Sequence, residues 1–344
     1  MTRTLSALCG IGAARACLLA SVCTVLVATT APAMAKATYA TFDVSGASQT
    51  YAYIVNRKGD IAGEWEDANQ IEHGYVRTAD GTISKFDPPN STNTFVLDMN
   101  NSQLVVGYFG DANHGDHGFL RTSDGTMTTY DAPGSAAGST EIDAINGKGT
   151  FTGSYCDNSG ACPGFFQNSR GKFRSFNIDG SVFIQPRSIS DAGVIAGVYY
   201  DNSDVAHGFE RTSDGTISTF DPPGSSDTIP FAMNSKNVIV GRYFDGKIRG
   251  FVRAADGTIT TIDNPGGVQG TRVRSINDKG EIIGSFADAN GQNHGFILSA
   301  NGRFKNFDPK KSILTAPVGI NNDGLIVGNY LDMNNVSHGY LRTP

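Results

Sequence analysis

The chain has 344 residues, with 27 Lys and Arg against 33 Asp and Glu, 42 glycines and a formal net charge of −6. An acidic, Gly-rich chain with no basic run argues against nucleic acid or an anionic membrane surface as a partner.

At the N-terminus, Arg3 and Arg15 precede an apolar run from Ala16 to Ala31, and Pro32 leads into the small-x-small site Ala33-Met34-Ala35. No acidic residue occurs before Asp43. That pattern predicts a secretory signal peptide over residues 1–35. The run falls short of the roughly 20 apolar residues that a membrane span needs, and no later stretch is apolar enough. Cleavage would remove Arg3 and Arg15, taking the balance from −6 to −8, and would leave Cys156 and Cys162 as the remaining cysteines. In an oxidising compartment two cysteines so close in a hairpin loop predict a disulfide. No further ligands recur nearby, so no metal is expected there.

From Lys36 onward one unit repeats. Its marker is a Gly-aromatic pair, usually after His, at Gly74-Tyr75, Gly118-Phe119, Gly164-Phe165, Gly208-Phe209, Gly250-Phe251, Gly295-Phe296 and Gly339-Tyr340. Each unit reads as four short strands. The first ends at an Asn-type turn such as Met99-Asn100 or Ile320-Asn321, and the second is a β-branched run into glycine such as Leu104-Val105-Val106-Gly107. The third opens on the marker, and the fourth follows an Asp-Gly turn such as Asp124-Gly125. Asp-Gly between alternating runs is a strong hairpin signal, because type I′ turns need positive φ at both central residues. No helical periodicity appears after the leader.

Units of this size and strand count, repeated seven times, predict an all-β, seven-bladed β-propeller with four antiparallel strands per blade, as a single domain over 36–344. The last copy ends after its third strand at Leu341-Arg342-Thr343-Pro344, whereas Tyr39-Ala40-Thr41-Phe42-Asp43 matches the fourth-strand segment Ile83-Ser84-Lys85-Phe86-Asp87. The N-terminal strand is therefore expected to complete the last blade, pairing edges that would otherwise stay open.

Residues common to most copies read as architecture. A glycine column runs from Gly63 to Gly328, with an aromatic two residues later in each copy, from Trp65 and Phe109 to Tyr330. An Asp follows two residues on, from Asp67 to Asp332, and reads as a turn former rather than a calcium ligand. The recurrent histidines His73, His117, His207, His294 and His338 read as hydrogen-bonding residues. His114 and His117 have His-x-x-His spacing on a hairpin, a weak zinc signal without a helix.

The copies resemble the extracellular repeat family named for its His-Ala-Phe motif, on Ile276-Asn277-Asp278-Lys279-Gly280, Ile283-Gly284 and His294-Gly295-Phe296, with Gly where the family has Ala. The resemblance implies an exported bacterial propeller-like protein and no agreed activity.

Departures from the repeat point to function. Three residues before the Asn turn stand Tyr53, Leu97, Asp143, Arg187, Phe231, Arg274 and Val318, which should ring the mouth of a central channel. Asp143, Arg187 and Arg274, with Arg272 nearer the loops, are the candidate ligand-binding charges, and arginines suit bidentate grip of a carboxylate or sulfate. A direct Asp143–Arg187 pair between neighbouring blades is the simpler alternative. Trp65, as a saccharide platform, and His114 complete the candidate set. The expected function is a secreted, monomeric, non-enzymatic binding module in the periplasm or outside the cell, without cofactor. Its ligand would be an acidic polysaccharide or a protein. The alternative is a glycan-acting lyase or hydrolase, against which stands the absence of a paired-carboxylate, Gly-x-Ser-x-Gly or metal motif.

Overall fold

A computed structural model describes residues 37–344, which pack as one compact unit. The expected signal peptide lies outside the described residues. Among the described residues the chain is all-β, with 28 strands and no helix, so none is long and apolar enough to cross a membrane.

The strands form three four-stranded and two eight-stranded sheets. Each sequence repeat supplies an antiparallel meander, as in Asn93–Met99, Val105–Gly110, Asp116–Arg121 and Met127–Tyr130. The eight-stranded sheets are two such meanders joined by a single parallel contact, Ser139 with Asp116 in one and Ile248 with Gly270 in the other. The strand Thr38–Phe42 pairs antiparallel with Ser337–Thr343, bringing Thr41 opposite Tyr340 and Thr38 opposite Thr343. It is thus the outer strand of the sheet built from the last repeat.

The repeat columns explain the packing. All seven marker aromatics, from Tyr75 to Tyr340, are fully buried. In five of the repeats the glycine before the marker aromatic lets the aromatic of the outer strand lie against the backbone, whereas Gly118 and Gly250 make room for Ile142 and Val273 of the next repeat. A Cβ on Gly74 would stand 2.4 Å from the Phe86 ring, and one on Gly339 would stand 2.8 Å from Phe42. The second-strand glycines admit a carbonyl of the first strand instead, since a Cβ on Gly107 would lie 1.9 Å from Phe95 O. Glycine is required there by close approach, not by φ.

Neighbouring repeats are joined by two further devices. The last residue of several third strands is an arginine stacked on the outer-strand aromatic of the preceding repeat. Arg121 lies over Phe86, Arg253 over Phe220 and Arg342 over Phe307, with guanidinium-to-centroid distances of 4.8–5.2 Å. Arg77 of the first repeat lies in the same way over Phe42. Where the aromatic is Tyr130, the partner is Gln167, whose Oε1 accepts from the phenol at 2.9 Å. The second device is the Asn turn. Asn100 Oδ1 accepts from the backbone of Ser102 and Leu104, while its Nδ2 donates to Asn146 O in the next repeat at 3.1 Å.

The histidine column is a clamp on the outer strand. His73, His117, His207, His294 and His338 each hold, through Nδ1, an Asp at the end of that strand at 2.7–2.8 Å. Each ring also stacks on the aromatic of its own second strand, as Phe109 on His117 at 5.4 Å. Arg249 replaces histidine in the fifth repeat and bridges the equivalent Asp245 and Asp263. In the third repeat Pro163 stands at this position, and the Cys156–Cys162 disulfide closes the same hairpin. The Asp67-type residues bond their own turns, with Asp67 Oδ1 accepting from Asn69 N at 2.7 Å and Ile71 N at 3.0 Å. Except at Asp245, which Arg249 holds, Oδ1 of each is thereby committed to two backbone amides, as a turn former requires.

Candidate ligand cavity

The first strands of all the repeats converge on a cavity of about 730 Å³. Its wall includes Tyr53, Leu97, Asp143, Arg187, Phe231, Arg274 and Val318, the column three residues before the Asn turns. A second opening, of about 320 Å³, is lined by the Asn turns themselves, from Asn56 to Asn321. A β-bulge in every first strand sets the first row: its extra residue is this column, from Tyr53 between Ala52 and Ile54 to Val318 between Pro317 and Gly319, and the Asn turn ends each strand.

Asp143 and Arg187 do not pair directly, which corrects the simpler alternative. Gln185 stands between them, donating Nε2 to Asp143 Oδ1 at 3.2 Å and accepting from Arg187 Nη2 at 2.8 Å. This arrangement satisfies only one oxygen of Asp143. Its Oδ2, and Nε of Arg187, are buried without a protein partner. Burial, with Glu141 nearby, pushes the Asp143 carboxyl up to about 8. Arg274 packs its guanidinium 4.5 Å over the Phe231 ring. Burial and the neighbouring Arg187 and Arg242 lower its pKa. Salt bridges among the described residues lie away from this wall, at Arg249, at Arg253–Glu210 and at the His–Asp clamps.

The remaining sequence candidates stand apart. Arg272, half-buried on the same strand as Arg274, is not among the lining residues, and its pKa is lowered by burial and by Arg242. Trp65 stacks on His73 at 4.4 Å and carries Lys85 Nζ 4.0 Å from its ring centroid, in the clamp of the first repeat. His114 is exposed in the hairpin after Val105–Gly110, at φ 66°, with its N donating to Asp111 O. Neither lines the cavity. No group of three or more His, Cys, Asp or Glu among the described residues could hold a metal ion.

Several cavity residues escape a comparison of first strands alone. Glu64 lines the wall from a second strand, accepting from Val96 N at 2.6 Å and from Tyr53 OH at 3.2 Å. Burial pushes its carboxyl up to about 8. Asn329, at the same column of the last repeat, takes Ala52 N in the same manner at 2.6 Å. Tyr108 lines the wall from the same second-strand column, and Phe95, Glu141 and Gln185 line it from first strands. The signal is the residue directly after each second-strand glycine: Glu64, Tyr108, Ser154, Val198, Arg242, Ser285 and Asn329. That column varies freely between two invariant positions. Register sets it opposite an equally variable first-strand column, with Tyr51 facing Glu64, Phe95 facing Tyr108 and Ile229 facing Arg242. Read together, the two columns separate the charges: the carboxylates Glu64 and Glu141 stand in the first and third repeats, and the arginines Arg242 and Arg272 in the fifth and sixth.

No protein-family model matches the sequence, and a search of curated proteins finds no match. Solved structures do match. A streptogramin B lyase is similar over 89% of this chain and 97% of its own, with a TM-score of 0.60 at 15% identity. A catalytically inactive virginiamycin B lyase from Staphylococcus aureus, with quinupristin, is similar over 90% and 100%, with a TM-score of 0.59 at 16% identity. Acylaminoacyl peptidase from Pyrococcus horikoshii is similar over 86% of this chain and 52% of its own, with a TM-score of 0.58 at 10% identity. At these identities the likeness is one of fold, and the fold is propeller-like.

Proposed function

We propose that the chain is an exported, seven-bladed propeller of the His-Ala-Phe repeat kind, closed by its N-terminal strand, that binds an anionic saccharide in its axial cavity without transforming it. The observation that carries this reading is Arg187 and Arg274 in the cavity wall without a carboxylate partner among the described residues. A partly desolvated guanidinium facing an open cavity favours an incoming carboxylate or sulfate, and its planar fork suits a bidentate contact. Seven repeats, the sheet shared by the two ends of the described chain and the bonds between first and last repeats support a closed ring. The disulfide is compatible with a periplasmic or extracellular location.

Calorimetric titration of the exported protein with glucuronate oligosaccharides tests the reading. Binding that weakens at least tenfold in Arg187→Ala and in Arg274→Ala is expected. Equal binding by the wild type and both variants would refute it.

A second reading, a lyase, is favoured by one observation: Glu64 and Asp143 have carboxyls pushed up to about 8, suited to proton transfer near neutral pH. Two propeller lyases share the fold. Prolonged incubation with the bound saccharide decides between the two readings. Intact ligand is expected, and an unsaturated product would favour the lyase.

A further inference from the structure

We propose that the ligand of this cavity is a zwitterion, with an ammonium held by the aromatic and carboxylate wall of the first three repeats and a carboxylate held by the arginine wall of the fourth to sixth. This rests on the reading of the cavity as a ligand site and adds the second charge.

The cationic half has its own construction. Phe95 and Tyr108 stack at 4.7 Å between centroids, and Tyr51 stacks on Tyr53 at 6.2 Å, so two ring pairs flank the first- and second-repeat wall. Glu64 and Glu141 line the cavity beside them. Burial, with the charges of Glu141, Asp116, Glu64 and Asp143, holds the Tyr108 hydroxyl well above its ordinary range. Rings attract an ammonium through their quadrupole, and its positive charge would draw the Glu64 and Asp143 carboxyls, which burial keeps protonated at neutral pH, into the ionised form. Asp143, buried with Oδ2 unpartnered in the wall, adds an acceptor that no protein group satisfies. Arg187 in the next repeat and Arg274 in the sixth present only donors.

The partition also argues from what is missing. Opposite charges lining one cavity would be expected to pair across it if their task were structural. Gln185 instead spaces Asp143 from Arg187, and no ion pair among the described residues links the two walls. A ligand carrying one charge would meet an attractive wall and a repulsive one. A ligand carrying both would complement each, and the mismatch would reject singly charged competitors.

Three probes separate the charges on one sugar frame: muramic acid, with a free amine and a carboxylate; N-acetylmuramic acid, with the carboxylate alone; and glucosamine, with the amine alone. Titration of the exported protein at pH 7 should give muramic acid at least tenfold tighter binding than either of the others. Glu141→Gln, near-isosteric, should collapse that ratio to about one, with the melting temperature as a check on folding. Equal affinity for muramic and N-acetylmuramic acid would overturn the zwitterion and leave the arginine site standing. Binding of glucuronate oligosaccharides without any of the three would do the same. Failure of every saccharide to bind would overturn both readings.

Discussion

Asn321 donates its side-chain Nδ2 to the main-chain oxygen of Asn56 at 2.9 Å, joining the last repeat to the first across 265 residues of chain. The same bond links Asn100 to Asn146, Asn146 to Ser190, Asn234 to Asn277 and Asn277 to Asn321. A bond that recurs between sequential neighbours, and again between the two ends, is what a closed ring requires. Asn321→Ala removes a buried donor, leaving Asn56 O with only its turn bond from Gly59 N, and unpairs the backbone N of Asp323 and Leu325. A loss of about 1–3 kcal/mol is expected in urea unfolding. Unchanged stability would mean that the bond between the ends contributes nothing.

The two kinds of glycine should behave differently on substitution. At Gly107 an added methyl would stand 1.9 Å from Phe95 O. Gly107→Ala should therefore cost about 3 kcal/mol or more, because the carbonyl belongs to a paired strand and cannot yield. Gly46 has open space around it but φ +82°. Gly46→Ala should cost only about 1–2 kcal/mol, from backbone conformation alone. Denaturant midpoints of the two variants check the order, and a reversal would contradict the close packing of first and second strands.

Buried acids make stability depend on pH in a definite direction. Glu64 and Asp143 have folded-state carboxyls near 8, whereas in the unfolded chain they titrate near 4. Between those values the native state holds protons that the unfolded state has released, so their contribution is complete below about pH 4 and is lost as pH rises through about 8. The melting temperature should fall between pH 5 and pH 9. The double variant Glu64→Gln, Asp143→Asn should flatten that slope and melt higher than the wild type at pH 9. Parallel slopes for both proteins would show that these carboxyls are not buried as described.

The Cys156–Cys162 disulfide takes over where Pro163 has displaced the histidine clamp. A loop this short constrains the unfolded chain by roughly 2 kcal/mol. Restoring the histidine, as Pro163→His beside Cys156→Ser and Cys162→Ser, should recover part of that loss, because the outer strand already pairs with Gly164 and Asn177, where other repeats have the Asp, offers its Oδ1 to the ring. Melting of the triple variant below that of the double cysteine variant would contradict the equivalence. Thiol titration of the wild type should detect no free cysteine without reductant.

The repeat was legible because its columns are enforced by contacts that glycine, aromatic and asparagine residues alone can make. Tyr75 to Tyr340 recur since each fills the same fully buried space. The inward row holding Asp143, Arg187 and Arg274 was legible from aligning the repeats on their Asn turns, whereas the β-bulge that sets it was not. Glu64 was not, because its place in the wall depends on cross-strand register with Tyr51, which no single strand displays. Trp65 and His114 attract notice by residue type, yet one is spent on stacking with His73 and the other on an exposed turn. Adjacent repeats put Asp143 near Arg187, but the side chain between them, Gln185, was decided by packing.

Ring closure by the strand Thr38–Phe42 is tested most directly by a circular permutant. Thr343 faces Thr38, as Thr122 and Thr126 flank the turn Ser123-Asp124-Gly125 in the second repeat. A chain running from Gly46 to Thr343, then Ser-Asp-Gly, then Thr38 to Ser45, would keep every strand pairing while moving the outer strand to the C-terminus. It should melt within a few degrees of the wild type, whereas the same chain ended at Thr343 should melt far lower or aggregate. A permutant no more stable than the truncated chain would contradict the closed seven-repeat ring.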